Sequence, residues 1–394
     1  MKKIFCFILF ISGLLPAASL FSQGAWTQKT NFGGTARAYP VGFSIGNKAY
    51  VGTGGNLVSV YNNDFWEYDP STDAWTQKAF FGGTGRYHAT GFSIGTKGYL
   101  GTGYDGVAKQ DFWEYDQTLN IWTQKLNVGG GTRFNAVGFS IGSKGYIGTG
   151  FAGVYKQDFW EYDPSANSWT QKANFGGTAR YRAVGFSIGT KGYIGTGRDA
   201  TTNTLQDFWE YDPGTNIWTQ KAAYGGGIKD CAVGFSIGTK GYLGAGTSNS
   251  QTFYEYDPAA NTWTQVANLT GQGREMACGF SVGSKGYICA GMVAPNPFLK
   301  DLWEFDPAGF VGVDGSENDI SFSLYPNPCN GKFIINSSIQ NGAIEIYSVE
   351  GEKIMSSEIR NTTTEIDLSE KAKGVYFVKV TSDKKMAVKK IIVE

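Results

Sequence analysis

Residues 42–54 read GFSIGNKAYVGTG, and residues 64–77 read DFWEYDPSTDAWTQ. The same script returns along most of the chain. Trp-Thr-Gln recurs at Trp26, Trp75, Trp122, Trp169, Trp218 and Trp263, at spacings of 49, 47, 47, 49 and 45 residues. All 11 tryptophans belong to the script: six precede Thr-Gln and five occupy the Phe-Trp-Glu or Leu-Trp-Glu position. Each unit holds four short β-rich runs separated by Gly, Asn, Asp and Pro turns, and none has a helical period. Runs such as Phe65-Trp66 put bulk on both faces of a strand, which suits a sheet packed on both sides. Four-stranded units repeated six times with both faces buried predict an all-β fold, the blades of a β-propeller.

Ring closure is legible too. The sixth unit ends at Asp301-Leu-Trp-Glu-Phe-Asp-Pro307 without a Trp-Thr-Gln. Conversely, Trp26-Thr-Gln precedes the first unit without a blade of its own. Residues 25–29 are therefore expected to supply the outermost strand of the last blade, which ties the ends of the ring and removes an open edge.

These residues resemble the kelch family. The resemblance rests on Arg37, Tyr-Val-Gly-Thr-Gly-Gly at 50–55, Asn-Asp-Phe-Trp-Glu-Tyr-Asp-Pro at 63–70 and the closing Trp75, and it covers about 26–307. Most copies have Gly-Thr-Gly or Gly-Ala-Gly where the kelch pattern has Gly-Gly. The resemblance implies a six-bladed kelch-type β-propeller over 24–310.

The two ends read as addresses. Residues 1–23 have a positive start, an apolar run of 12 residues from Ile4 to Leu15 and small residues beyond, the pattern of a secretory signal peptide. No later apolar run reaches 18 residues, so no transmembrane segment is expected in the mature chain. After a linker at 311–320, tryptophan disappears and alternating apolar runs predict a small Ig-like β-sandwich tail over 321–394. This tail resembles the C-terminal sorting domain of type IX secretion. The matching residues are Tyr325, Pro326, Asn327, Pro328 and Gly331, the run Ile346-Tyr-Ser-Val-Glu-Gly351, then Gly374, Tyr376 and Lys389-Lys-Ile-Ile-Val393. The resemblance implies the type IX machinery as a partner and a secreted or cell-surface protein of a Gram-negative bacterium.

Composition excludes several functions. Lys+Arg and Asp+Glu are both 34, so no basic excess exists for nucleic-acid phosphates. Glycine is 56 of 394 residues, about twice the usual ~7%. The single histidine, His88, excludes zinc hydrolases and copper oxidases that need two or more histidines, galactose oxidase chemistry included. No nucleophile elbow, phosphate loop or metal-ligand spacing stands out, so no cofactor, metal or catalytic residue is assigned. Of the four mature cysteines, Cys278 and Cys289 flank one predicted hairpin, either as a pair or as small buried thiols.

A residue repeated in every blade is structural first. The glutamates at 67, 114, 161, 210, 255 and 304 read as hydrogen-bonding groups within the sheets. The loops between the second and third strands vary most: 55–63, 104–110, 151–157, 198–206, 247–251 and 292–300. Diversity on one face of a rigid scaffold marks a binding face. On that side recurs a cation: Arg37, Arg86, Arg133, Arg180, Lys229 and Arg274. In kelch proteins the equivalent arginine often faces the central opening; alternatively, each pairs with a nearby acid or backbone group. The next two positions differ in every copy and include Tyr87, His88, Phe134, Tyr181 and Arg182. Rings and cations around a pocket suit a sugar or an anion, and His88 reads as a hydrogen-bonding group rather than a base. The expected function is a secreted binding or adhesion protein for an unidentified glycan or protein. The competing readings are a sugar-modifying enzyme of the sialic-acid epimerase type and an adhesive protein with no small ligand.

Overall fold

The computed structural model describes residues 23–56, 60–310, 320–348, 353–382 and 385–394. Two compact units divide them, Gln23–Gly309 and the segment from Phe310 to the C-terminus. The leader expected at 1–23 lies outside the described residues except for Gln23, as does most of the linker and Gly351.

In each repeat the innermost strand alternates. Val41, Phe43 and Ile45 are buried, whereas Gly42 and Ser44 are half-buried. A Cβ on Gly42 would lie 2.9 Å from the Cys278 sulfur of the neighbouring sheet, so the repeated glycine permits adjacent inner strands to approach. The inner strands Val41–Ile45, Thr90–Ile94, Val137–Ile141, Val184–Ile188, Val233–Ile237 and Cys278–Val282 contact one another in sequence order, and the last contacts the first. Each begins a four-stranded antiparallel sheet, giving six blades in a closed ring. In the second blade, for example, Lys97–Gly101, Phe112–Asp116 and Ile121–Lys125 follow outward.

The sixth sheet closes with Gln23–Lys29 hydrogen-bonded to Leu302–Phe310. Trp26 is 7% exposed and lies 4.8 Å from the Phe253 ring and 5.0 Å from the Phe305 ring. Its indole N–H donates to Ala267 O at 2.9 Å, as Trp75 donates to Thr30 O in the first blade. The core between blades is thus aromatic, with rings from adjacent sheets packed edge to face.

Within a sheet the repeated polar residues satisfy one another. Tyr50 donates to Glu67 at 2.6 Å, and Lys78 lies 3.5 Å from the same carboxylate. In the last blade Lys29 of the closing strand takes that place, 3.6 Å from Glu304. The repeated glutamates are ordinary cross-strand partners, as their recurrence suggested.

The C-terminal unit is a β-sandwich. A three-stranded sheet (Phe322–Tyr325, Lys332–Ser337, Thr363–Asp367) faces a four-stranded one (Gly342–Tyr347, Lys353–Ile359, Gly374–Ser382, Lys385–Val393). Their alternating residues, Phe333, Ile335, Ile344, Ile346, Val378 and Val380 among them, form one core. All four described cysteines are free and buried. Cys278 and Cys289 sit opposite each other in register as thiols.

Candidate functional site

The loops that join successive blades and the variable loops meet on one face of the ring. Backbone pairing shows it directly: Ala38 pairs with Gly55, Tyr87 with Tyr104, Phe134 with Phe151, Tyr181 with Arg198 and Glu275 with Met292. The first of the two variable positions after each repeated cation is therefore backed by the residue that follows Gly-Thr-Gly or its equivalent.

The recurring cations lie beneath this layer. Arg37, Arg86, Arg133, Arg180 and Arg274 are at most 1% exposed. Arg86 grips Asp111 through two hydrogen bonds of 2.5 and 2.7 Å, donates to Thr102 O at 2.9 Å and to Thr84 O at 3.0 Å, and stacks 4.9 Å from the Phe81 ring. Trp113 completes the group, its indole N–H donating to Asp111 at 2.9 Å. The other four arginines hold Asp64, Asp158, Asp207 and Asp301 in the same way. Burial alone would raise the pKa of Asp111. The Arg86 hydrogen bonds and charge outweigh it and hold the carboxyl below its usual range. None of these arginines lines the axis. The fifth blade lacks the whole group at once, with Lys229, Thr252 and Tyr254 where the others have Arg, Asp and Trp. Lys229 is half-buried, and burial lowers its pKa.

The axis belongs instead to the second variable position. Tyr39, His88, Asn135, Arg182, Cys231 and Met276, one from each blade, line a recess of about 140 Å3. All six have positive φ, between 51° and 59°. That unusual backbone for non-glycine residues turns five of the six N–H groups toward a neighbour's carbonyl. Tyr39 donates to Met276 O, Met276 to Cys231 O, Cys231 to Arg182 O, Arg182 to Asn135 O and Asn135 to His88 O, at 2.7–3.3 Å. At the sixth junction the Tyr39 and His88 rings meet edge to face, 3.8 Å apart. Tyr39 reaches the Cys231 sulfur at 3.1 Å. His88 is 9% exposed and its Nδ1 has no partner among the described residues. Burial first, then the Arg182 charge, hold its pKa well below 6.5, so the imidazole is neutral. Arg182 lies over the Tyr181 ring and, with Arg198, flanks buried Asp230 at 3.7 and 3.2 Å.

Beside the axis, over the second and third blades, opens a cleft of about 620 Å3. Its rings are Tyr87, Tyr104, Phe134 and Phe151, with His88 on the wall it shares with the recess. Tyr104 lies 5.3 Å from Phe134, which lies 5.6 Å from Phe151. Tyr61 and Tyr155 extend the arc on either side. The structure thus brings Tyr87, His88 and Phe134 together at the cleft, puts Arg182 with His88 in the axial recess and leaves Tyr181 outside both linings. Sequence reasoning marked the variable position that Tyr39 and Asn135 occupy without assigning them to the site, and it missed Tyr104 and Phe151. The signal for the last two was their variation directly after an otherwise fixed Gly-x-Gly.

In the C-terminal unit the Tyr325–Pro328 segment is laced to the final strand. Asn327 donates to Lys390 O at 2.9 Å and accepts from Ile392 N–H at 3.0 Å, while Cys329 N–H donates to Ile392 O at 2.9 Å. Tyr325 itself is 71% exposed. Gly331 has φ +86° and its missing Cβ would lie 2.5 Å from Ser369 Cα, so only glycine fits. Tyr376 donates to Ala372 O at 2.5 Å.

Comparison with known proteins agrees with both units. Residues 323–394 match the family described as secretion system C-terminal sorting domain. No curated protein matches the chain. Among solved structures, one titled "Structure of YjhT" superposes with a TM-score of 0.60 at 16% identity, covering 70% of this chain and 95% of that one. At that identity the likeness concerns the fold. The protein is a six-bladed β-propeller followed by a type IX secretion sorting domain, directed to the exterior or the cell surface of a Gram-negative bacterium.

Proposed function

We propose that the propeller is an extracellular carbohydrate-binding module whose ligand lies in the aromatic cleft over the second and third blades. The observation that carries this reading is the cleft itself: four rings converging on about 620 Å3 of open space beside an unpaired buried imidazole nitrogen. Sugar rings present C–H faces that stack on aromatic side chains, with hydroxyls left for a few placed polar atoms. The rest of the molecule supports a rigid platform, since the buried arginine–aspartate groups hold the loops from beneath. A binding rather than a catalytic role is favoured by the linings. Among the described residues, neither the cleft nor the recess is lined by a carboxylate. The nearby Asp230 is clasped between two arginines, which leaves a sugar-epimerising reaction without a free carboxylate base. The sorting domain would then deliver the module across the outer membrane.

The test is a glycan array probed with the mature chain beside a Tyr104→Ala/Phe151→Ala variant. Saturable binding that the variant loses, with its melting transition retained, supports the reading. Binding unaffected by the variant would refute it.

A further inference from the structure

The axial recess adjoins the cleft through His88, and its polar atoms are unevenly paired. The buried Asn135, 8% exposed, has an Nδ2 with no partner among the described residues, as has the Arg182 Nε. The neutral imidazole has one N–H and one lone pair, so its unpartnered Nδ1 can pair with a hydroxyl, which both donates and accepts. At and beside the recess the unpaired atoms are three donors, Asn135 Nδ2, Arg182 Nε and Arg198 Nε, against one oxygen of Asp230 and the His88 Nδ1. Charge points the same way. Arg182, Arg198 and Lys229 carry three positive charges on this side of the ring against the two negative charges of Asp230 and Glu275, and His88 adds none. Buried donors left unpaired are costly, and an ionised acceptor satisfies them best.

We propose that this recess takes the carboxylate of a uronic acid whose pyranose ring lies on the aromatic cleft. The carboxylate accepts from Asn135 Nδ2 and Arg182 Nε, and a neighbouring sugar hydroxyl pairs with His88 Nδ1. This rests on the carbohydrate reading above and narrows it to acidic sugars.

The probes are tetragalacturonate and its fully methyl-esterified form, titrated calorimetrically into the mature chain. The two share rings and hydroxyls and differ in charge. The acid is expected to bind at least tenfold more tightly than the ester. Asn135→Asp keeps the side-chain shape and suits φ 53°, but sets a carboxylate against a carboxylate. It should remove that tenfold preference while the ester still binds. Arg182→Gln is a second variant with the same expectation, and Tyr104→Ala/Phe151→Ala should weaken both probes. Equal affinities for acid and ester, both lost with the two rings, would overturn the recess assignment and leave the cleft reading standing. A preference for the acid that survives both recess variants would also overturn it. Binding of neither probe overturns the uronic-acid assignment, and the glycan array then decides the cleft reading separately.

Discussion

Cutting the Arg86–Asp111 pair from the aspartate side should cost more than removing it whole. Arg86 is 1% exposed and spends its guanidinium on Asp111, Thr102 O and Thr84, whereas the Asp111 side chain is 21% exposed and keeps the Trp113 indole as a donor. Asp111→Ala leaves a cation sealed from water. Its expected cost lies near the top of the 3–5 kcal/mol range for broken buried pairs. Arg86→Met leaves a carboxylate that water reaches, so the lower end, about 3 kcal/mol, is expected. The double variant strands no charge and should cost no more than about 4 kcal/mol, giving a coupling of roughly 3 kcal/mol or more. The fifth blade is the natural precedent, having lost arginine, aspartate and tryptophan together. Chemical denaturation of the four proteins closes the cycle, with melting shifts of about 2 °C per kcal/mol as a check. Additive single losses, or Arg86→Met costing more than Asp111→Ala, would refute the reasoning.

Other outcomes follow from the same structure. Trp26→Ala removes the packed ring and indole hydrogen bond of the closing strand, and should destabilise by about 3–5 kcal/mol; a change below about 1 kcal/mol would contradict ring closure by that strand. His88 has a depressed native pKa, so the unfolded chain binds a proton in a window where the native chain does not. Stability should fall as pH drops below about 6.5, by up to about 1.4 kcal/mol per pH unit. His88→Asn, which tolerates the 58° φ, should flatten that slope, since no other histidine exists. The arginine-bound Asp64, Asp111, Asp158 and Asp301 have carboxyl pKa values held below the usual range. Their contribution is complete above about pH 4 and is lost as pH falls through the lower native values, so acid unfolding should begin below pH 4. Thr102 has φ 61°, is fully buried and has an unpaired hydroxyl; the fifth and sixth blades carry Ala245 and Ala290 there. Thr102→Ala should leave denaturant stability unchanged or raise it by up to about 1 kcal/mol, and a loss above 2 kcal/mol would show the hydroxyl to be engaged.

Much of the architecture was legible because each blade repeats the same physical problem. Trp26-Thr-Gln without a blade and a last blade without Trp-Thr-Gln are two halves of one sheet, and six copies made the mismatch visible. The arginine ring was legible as a position but not as a role. Both readings put a cation on the upper side, and only the paired loss at Lys229 and Thr252 tells them apart from sequence. The axial residues were harder. Tyr39, His88, Asn135, Arg182, Cys231 and Met276 share a left-handed backbone that no common side chain announces. The belt of backbone hydrogen bonds between neighbours imposes it, and that belt exists only once the ring has closed. The cleft was half legible: Tyr87 and Phe134 stood out as variable, whereas their cross-strand partners Tyr104 and Phe151 were hidden at the start of loops read as loops.

Hydrogen–deuterium exchange of the mature chain, with and without the tightest glycan from the array, addresses the binding face most directly. Protection confined to peptides spanning 84–110 and 130–156 is the predicted result. Protection on the opposite turns around Gly95 and Gly142, or over the fifth and sixth blades alone, would contradict a ligand seated on the aromatic cleft.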